Sequence, residues 1–494
     1  MAKFIMSIDQ GTTGTTVVIL DQGGSLVAKV NNEYQQIFPK PGWVEHNPEE
    51  IWKSVEKSVK GAMSKAKISA QEIAGIGITN QRETVLLWDR KTHRPVYNAI
   101  VWQCRRTQDF CESLKKSGKH KMIRRKTGLV TDPYFSGSKI RWVLKNVDGV
   151  SARAKKGELA LGNIDTFLLW RLTGGAAHKT DVSNASRTML MNIFTGDWDQ
   201  DLLKLFEVPV SLLPSIEDSS GIFGETKGLG FLPDGIPVAG IAGDQQAALF
   251  GQTCFKAGEA KCTFGTGSFL LLNTGAKPTL SKHQMLTTVA WRLPGEKMNY
   301  ALEGGAFICG AAVQWLRDGL GLISSSNEVE SLAATVTSSE GVEFVPALTG
   351  LGAPYWWPGA RGAISGLTRG STKAHIARAT LEAMALQNCD VLSAMQQDMG
   401  KKLKSLKVDG GATANNLLMQ IQSDYLNIKV LRPALIETTA IGAAYLAGLG
   451  VGFWSSTAEL QKIWKVDHEF SPAMAPKARG ERLAHWHEAV QKVK

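Results

Sequence analysis

The sequence predicts an α/β protein built from two related domains that face a cleft. Three observations carry this. First, the 494 residues exceed what one ordinary hydrophobic core organises. Second, each half opens on the same device, an apolar strand, a turn of Gly and Thr, and another strand. The first copy is residues 4–8, 9–14 and 15–20; the second is 259–264, Gly265-Thr266-Gly267 and 268–272. Third, residues 236–251 run from an apolar strand through Gly240 and Gly243 into a helical stretch at Asp244. Open α/β sheets hold their ligands at such strand-to-helix turns. The division falls near Gln252, giving domains of residues 1–252 and 253–494.

Taken in order, residues 3–31 form a three-stranded meander whose turns are rich in Gly, Thr and Asp. A helix opens at Asn47-Pro48-Glu49-Glu50, with cap, first-turn proline and acids in the expected sequence. Ile51, Val55, Val59 and Met63 then recur every four positions, so the helix buries one face. Residues 73–79 read as a buried strand ending at Asn80-Gln81-Arg82-Glu83, and 85–88 and 96–102 as further strands. Asp132-Pro133-Tyr134-Phe135-Ser136-Gly137 is a turn carrying an aromatic. In the second half, residues 306–316 and 371–399 read as helices, the latter stopped by Gly400. A strand at 406–408 ends in Asp409-Gly410-Gly411-Ala412, ahead of a helix from about Asn415, and the last strong helix covers 438–447.

Composition narrows the function. At 43% hydrophobic and 20% charged residues, the chain reads as globular and soluble. The net charge of +11 is scattered along helices, with no basic tract longer than Arg124-Arg125-Lys126 and no zinc-finger or RNA-recognition signature. That argues against a nucleic-acid partner and for a phosphorylated small ligand. The six cysteines include no Cys-x-x-Cys, no apolar run reaches membrane length, and Asp9 interrupts the N-terminus too early for a signal peptide. The expectation is a cytoplasmic protein with free thiols and no membrane insertion.

The two Gly/Thr tips offer backbone N–H groups and hydroxyls in a small space, the makings of an anion-binding nest. A nucleotide held between them would have its phosphates wrapped from both sides, with Asp9 placing a magnesium ion through water. No P-loop motif is present, and Gly75-Ile76-Gly77 lacks the third glycine of a dinucleotide fingerprint. By itself Asp244 is better explained as the N-cap of its helix.

A longer set of motifs resembles the FGGY carbohydrate kinases, and within them the enzymes that phosphorylate glycerol. These are Asp9-Gln10-Gly11-Thr12-Thr13, the run 77–84 through Asn80-Gln81-Arg82-Glu83, the run 98–107 around Trp102, and Asp132–Gly137. Asn184-Ala185-Ser186-Arg187-Thr188-Met189, Gly243-Asp244-Gln245-Gln246-Ala247, Phe264-Gly265-Thr266-Gly267 and Asp409-Gly410-Gly411 complete the set. The resemblance covers residues 4 to about 455. It implies the two-domain actin-like ATPase (ribonuclease H-like) fold, each domain a mixed β-sheet flanked by helices, closing on magnesium ATP. It implies a polyol pocket of Arg82, Glu83, Tyr134, Asp244 and Gln245, walled by Trp102 and Phe269, with Asp244 as general base. For the nucleotide it points to Thr12, Thr13, Gly14, Thr266, Gly310, Gln314, Gly411 and Asn415. It also implies a homodimer or homotetramer. One departure stands out: Thr16 occupies a position where arginine is usual in these kinases. A kinase for another short polyol or a ketose, and an actin-like ATPase without polyol chemistry, are the competing readings.

Overall fold

A computed structural model describes residues 2–494. Its first sheet is built from β1 (Phe4–Gln10), β2 (Gly14–Asp21), β3 (Leu26–Glu33), β4 (Ile73–Asn80), β5 (Ser220–Glu225) and β6 (Pro237–Gly243), in the order β5-β6-β4-β1-β2-β3. β1, β2 and β3 form an antiparallel meander, β4 and β6 run parallel to β1, and β5 closes the edge antiparallel. The second sheet contains β7 (Ala260–Phe264), β8 (Ser268–Gly275), β9 (Leu286–Trp291), β10 (Asn299–Ala306), β11 (Ser405–Asp409), β12 (Lys429–Pro433) and β13 (Val466–Phe470). Its order is β9-β10-β8-β7-β11-β12-β13, with β7, β11 and β12 parallel. Strand by strand, β10-β8-β7-β11-β12-β13 repeats β3-β2-β1-β4-β6-β5. The expected duplication is therefore present in the topology, with β9 as an added edge.

The local signals explain most elements. Helix α1 (Pro48–Ala66) is capped by Asn47, whose Oδ1 accepts from Glu49 N at 2.9 Å, and it ends where Lys67 turns left-handed. Helix α2 (Asp244–Gly251) follows β6 directly. Helix α3 (Gly310–Asp318) begins later than expected, because pairing with β8 carries β10 through to Ala306. Of the strand expected at 96–102, only Ala99–Ile100 pairs, in a small side sheet with Glu45–His46, Val85–Asp89 and Leu159–Asn163. The long helix α4 (Lys373–Met399) is stopped by Gly400 at φ +62°, and α5 (Asn416–Leu426) is capped by the Asn415 side chain.

Helix α6 (Thr438–Gly450) belongs to the second half of the chain yet packs on β1, β4 and β6 of the first sheet and on α2. The approach is close enough that a Cβ at Gly77 would meet Ala443 O at 2.2 Å, and one at Gly442 would meet Ala247 O at 1.8 Å. Gly240 likewise admits this helix: its Cβ would sit 2.3 Å from Ala447 N. Small residues are required here because backbone meets backbone. The two halves are thereby tied together behind the cleft.

Candidate active site

The register of the first sheet assembles the site. Asp9, Thr79 and Ala242 lie side by side on β1, β4 and β6, so their next residues leave the same carboxyl-terminal edge. From that edge β4 turns into Gln81-Arg82-Glu83, and β6 turns into Asp244. Glu83 sits at φ +60°, an uncommon conformation for a side-chain-bearing residue that clusters at functional sites. Gly243 is needed because a Cβ there would meet Arg82 Cγ and Cδ at 2.7 Å. The capping alternative for Asp244 does not hold: Gly243 occupies the N-cap position, and the Asp244 carboxylate lies 2.9 Å from Arg82 Nε.

Arg82 is the centre of a buried charge network. Its Nη1 and Nη2 donate to the two oxygens of Glu303 at 2.6 and 2.9 Å, and further bonds reach Gln246 Oε1 at 3.2 Å and the Tyr134 hydroxyl at 3.4 Å. The remaining nitrogen, Nε, forms an ion pair with the Asp244 carboxylate at 2.9 Å. Arg187 donates from Nε to Glu83 Oε1 at 2.6 Å and from Nη2 to Glu303 Oε1 at 3.0 Å. Two guanidiniums thus serve three carboxylates. At Glu303 burial opposes ionisation, but Arg187 and Arg82 outweigh it and bring the pKa down to about 2. At Glu83 burial wins over Arg82 and Arg187, and the pKa is raised. Asp244 is the member of the network that faces the cleft, with a side chain 31% exposed against 2–3% for Arg82, Glu83 and Glu303.

The aromatic residues close around this network. The rings of Trp102 and Tyr134 meet edge-on at 5.5 Å, and Trp102 Nε1 donates to Thr12 Oγ1 at 3.0 Å. Phe269 pairs with Gly305 on β8 and β10, two residues from Glu303 and on the same face of the second sheet. Lys139 is buried beneath Tyr134 and donates to the backbone oxygens of Pro133, Tyr134 and Phe135, which sets the shape of that turn. Gln245 follows Asp244 in the first turn of α2 and is buried. The structure therefore brings Arg82, Glu83, Trp102, Tyr134, Asp244 and Gln245 together, with Phe269 on the facing sheet. Sequence reading passes over Glu303, Arg187 and Lys139 as site residues. Only the Asn184–Met189 motif hinted at one of them, and nothing local marks Glu303, which arrives from the other sheet.

The first tip, residues 11–14, is held by its carbonyls. Tyr34 Oη donates to Gly11 O and lies 2.8 Å from Thr12 O, Gln81 Nε2 donates to Gly11 O, and Gln36 Nε2 donates to Thr12 O. The N–H groups of Thr12 and Thr13 make no hydrogen bond among the described residues and remain available to an anion. Gly14 runs so close to β3 that a Cβ would lie 2.9 Å from Asn32 O. At the second tip, Cys309 N donates to Thr266 O at 2.8 Å and Gly310 N to Gly265 O at 2.9 Å, docking the tip on the start of α3. Gln314 is exposed on α3, and Gly411 is exposed beyond β11. Asn415 spends its carbonyl oxygen on Leu418 N at 2.8 Å, leaving its Nδ2 for a ligand.

Asp9 has no hydrogen-bond donor on its carboxylate among the described residues, and burial together with the Asp244 carboxylate raises its pKa to about 7. Two acids with an excess of negative charge at the strand ends suit a divalent cation that arrives with phosphate ligands and waters of its own. No cluster of three or more His, Cys, Asp or Glu side chains able to hold a metal exists among the described residues, so a resident all-protein cage is not what this site offers. Thr16 stands opposite Asp9 across β1 and β2 and accepts from Asn31 Nδ2 at 2.9 Å; the positive charge that reaches Asp9 comes from Lys29 on β3. No helix is long and apolar enough to cross a membrane among the described residues.

The chain resembles known proteins over its whole length. Residues 4–251 match the N-terminal domain, and residues 260–451 the C-terminal domain, of the FGGY family of carbohydrate kinases. A glycerol kinase of Bdellovibrio bacteriovorus is 64% identical over 493 residues, covering 100% of both chains. One from Caldanaerobacter subterraneus is 55% identical over 100% of this chain and 99% of its own. The crystal structure of Plasmodium falciparum glycerol kinase with ADP superposes with a TM-score of 0.93 at 38% identity, covering 99% of this chain and 98% of that one.

Proposed function

The chain belongs to the FGGY family of carbohydrate kinases, and on that premise we propose that it phosphorylates glycerol with ATP. The products are glycerol 3-phosphate and ADP. The observation that carries the reading of the site is the position of Asp244: a carboxylate fixed by Arg82 on one side and open to the cleft on the other, at the strand edge where the first tip exposes its amides.

In this reading the polyol lies between Trp102, Tyr134 and Phe269, which cover its C–H groups and exclude water from the transfer. Glu83 bonds one hydroxyl with the carboxylate oxygen that Arg187 leaves free, and Arg82, Tyr134 and Gln245 complete the polar lining. A site that bonds each hydroxyl rejects analogues lacking one, because the buried partner would go unpaired. Asp244 takes the proton of the attacking hydroxyl while the hydroxyl oxygen forms a bond to the γ-phosphorus and the bond from that phosphorus to the β,γ-bridging oxygen breaks. Thr12, Thr13, Gly14 and Thr266 hold the phosphates, and Gly310, Gln314, Gly411 and Asn415 the rest of the nucleotide. Asp9 would hold magnesium, which when bound offsets the charge of the β- and γ-phosphates. Loading two substrates into a closed site requires the two sheets to move about the contacts behind the cleft. Residence in a reducing cytoplasm, which six buried free thiols suit, and assembly as a homodimer or homotetramer belong to the same reading; light scattering of the purified protein decides the assembly.

The test is glycerol-dependent ADP formation by the native chain and by Asp244→Asn. The expected result is a loss of about 10²–10⁴-fold in kcat, the usual contribution of a general base, with glycerol binding retained. A native chain that ignores glycerol but phosphorylates a ketose, or a variant that keeps full kcat, would contradict the proposal.

A further inference from the structure

Lys261, the second residue of β7, is 0% exposed although its side chain carries an ammonium group. Its bonded partners are neutral. It donates to Gln245 Oε1 and, at 2.7 Å, to Thr263 Oγ1. The carboxylate of Asp409 is one step further on, accepting from Thr263 Oγ1 at 2.5 Å and from Gln252 Nε2 at 2.8 Å. No ion pair joins Lys261 to an acid among the described residues. Keeping an ammonium in the interior with neutral partners alone is costly, so the group calls for a reason to be there. The bond to Gln245 also crosses between structural units, since β7 lies in the second sheet and Gln245 on α2, which follows the first.

We propose that Lys261 is a positioning residue that decides which end of the Gln245 amide the substrate meets. An ammonium has donors and no acceptor, so the amide must turn its oxygen toward Lys261. The amide nitrogen then points the other way, and it makes no hydrogen bond among the described residues. Such a donor complements the carboxylates that accept from the polyol. Asp244 and the free oxygen of Glu83 accept hydroxyl protons, while the Nη–H groups of Arg82 already bond Glu303, Gln246 and Tyr134. With Lys261 in place, Gln245 supplies an N–H to a hydroxyl oxygen. Without it, nothing distinguishes the two amide orientations, and the wrong one sets an oxygen against a lone pair. This inference rests on the reading of Gln245 as a polyol ligand.

The experiment is a double-mutant cycle on the full chain, Lys261→Met, Gln245→Met and both together, with KM measured for glycerol and for magnesium ATP. Lys261→Met is expected to raise the glycerol KM about tenfold, the scale of one lost hydrogen bond, and to leave the magnesium ATP KM within about twofold. In the Gln245→Met background the same change should add nothing. Independent effects in the double variant, or an equal rise in both KM values, would overturn the proposal. So would an unchanged glycerol KM in Lys261→Met while Gln245→Met raises it. If Gln245→Met itself leaves the glycerol KM unchanged, the ligand reading of Gln245 has failed and the proposal falls with it. Should Lys261→Met not fold, Lys261→Gln keeps an N–H donor without the charge. A glycerol KM within about threefold of native then supports the positioning role, and one as high as that of Gln245→Met refutes it.

Discussion

Glu303→Gln tests the buried charge network most directly, because the substitution keeps the shape of the side chain and removes one charge. The Glu303 carboxylate accepts three bonds, at 2.6 and 2.9 Å from Arg82 and 3.0 Å from Arg187, and its side chain is 3% exposed. Burial opposes its ionisation, yet the two arginines hold its pKa at about 2 against an ordinary value of 4.5. A depression of that size corresponds to on the order of 3 kcal/mol in favour of the charged form. Removing one partner of a buried pair costs about 3–5 kcal/mol in general, so the two routes agree. The sign follows from the direction of the shift. A carboxylate whose folded pKa is depressed contributes fully above about 4.5 and loses its contribution as the pH falls through about 2. At pH 7 the whole term is therefore at stake. For a cooperative unit of roughly 250 residues, each kcal/mol moves Tm by about 2–4 °C, which gives a drop of about 6–12 °C. Arg82 also loses its anchor on the second sheet, so the glycerol KM should rise more than the magnesium ATP KM. Thermal melts at one scan rate, with and without glycerol, and initial rates at pH 7 measure both. A Tm within about 1 °C of native together with an unchanged glycerol KM would refute the idea that Glu303 balances the site.

Three further outcomes are expected. Asp9 carries a pKa raised to about 7, so the folded protein holds its proton more tightly than the unfolded chain, and stability falls as the pH rises from the ordinary 3.8 toward 7. Asp9→Asn should therefore raise Tm at pH 8 while abolishing magnesium-dependent turnover, and the gain in Tm should vanish near pH 4; a lower Tm at pH 8 would contradict the assigned environment. Gly243→Ala puts a Cβ 2.7 Å from Arg82 Cγ and Cδ, and since φ at this position is −62° the backbone accepts alanine without strain. The displaced guanidinium should cost on the order of tenfold in glycerol KM with little change for ATP, readable in initial rates. Thr16→Arg places a charge opposite Asp9 on the adjoining strand, where Lys29 alone now contributes one. It should lower the magnesium ATP KM severalfold, an effect weakened by added salt; an unchanged KM would mean that position 16 lies outside the reach of the phosphates.

Elements set by local chemistry were legible before the fold was known. Asn47-Pro48-Glu49 starts a helix because cap, φ-restricted proline and acid each satisfy the same exposed N–H groups. Gly400 ends another because the left-handed turn at its C-terminus suits a residue without Cβ. Where local and tertiary preferences differed, pairing won. Residues 306–309 look helical by pattern, but the ladder with β8 holds Ala306 in a strand. Residues 96–102 look like a strand, yet only Ala99 and Ile100 find partners.

By itself, the sequence determined the two-half α/β architecture and the two Gly/Thr tips, because each is written in contiguous residues whose turns and strand ends follow from local chemistry, whereas Arg82, Glu83 and Gln245 are picked out only by the family resemblance of the motifs that contain them. Only the tertiary structure decided what those residues bond to. Glu303 closes the ion network from a different sheet, 221 positions from Arg82. Lys261 reaches Gln245 from the second sheet, and the glycines of α6, α2 and β4 bring helix 438–450 onto the first sheet. Such contacts depend on sheet register and helix packing, which bring distant positions together through burial and pairing; no short stretch of chain carries that information.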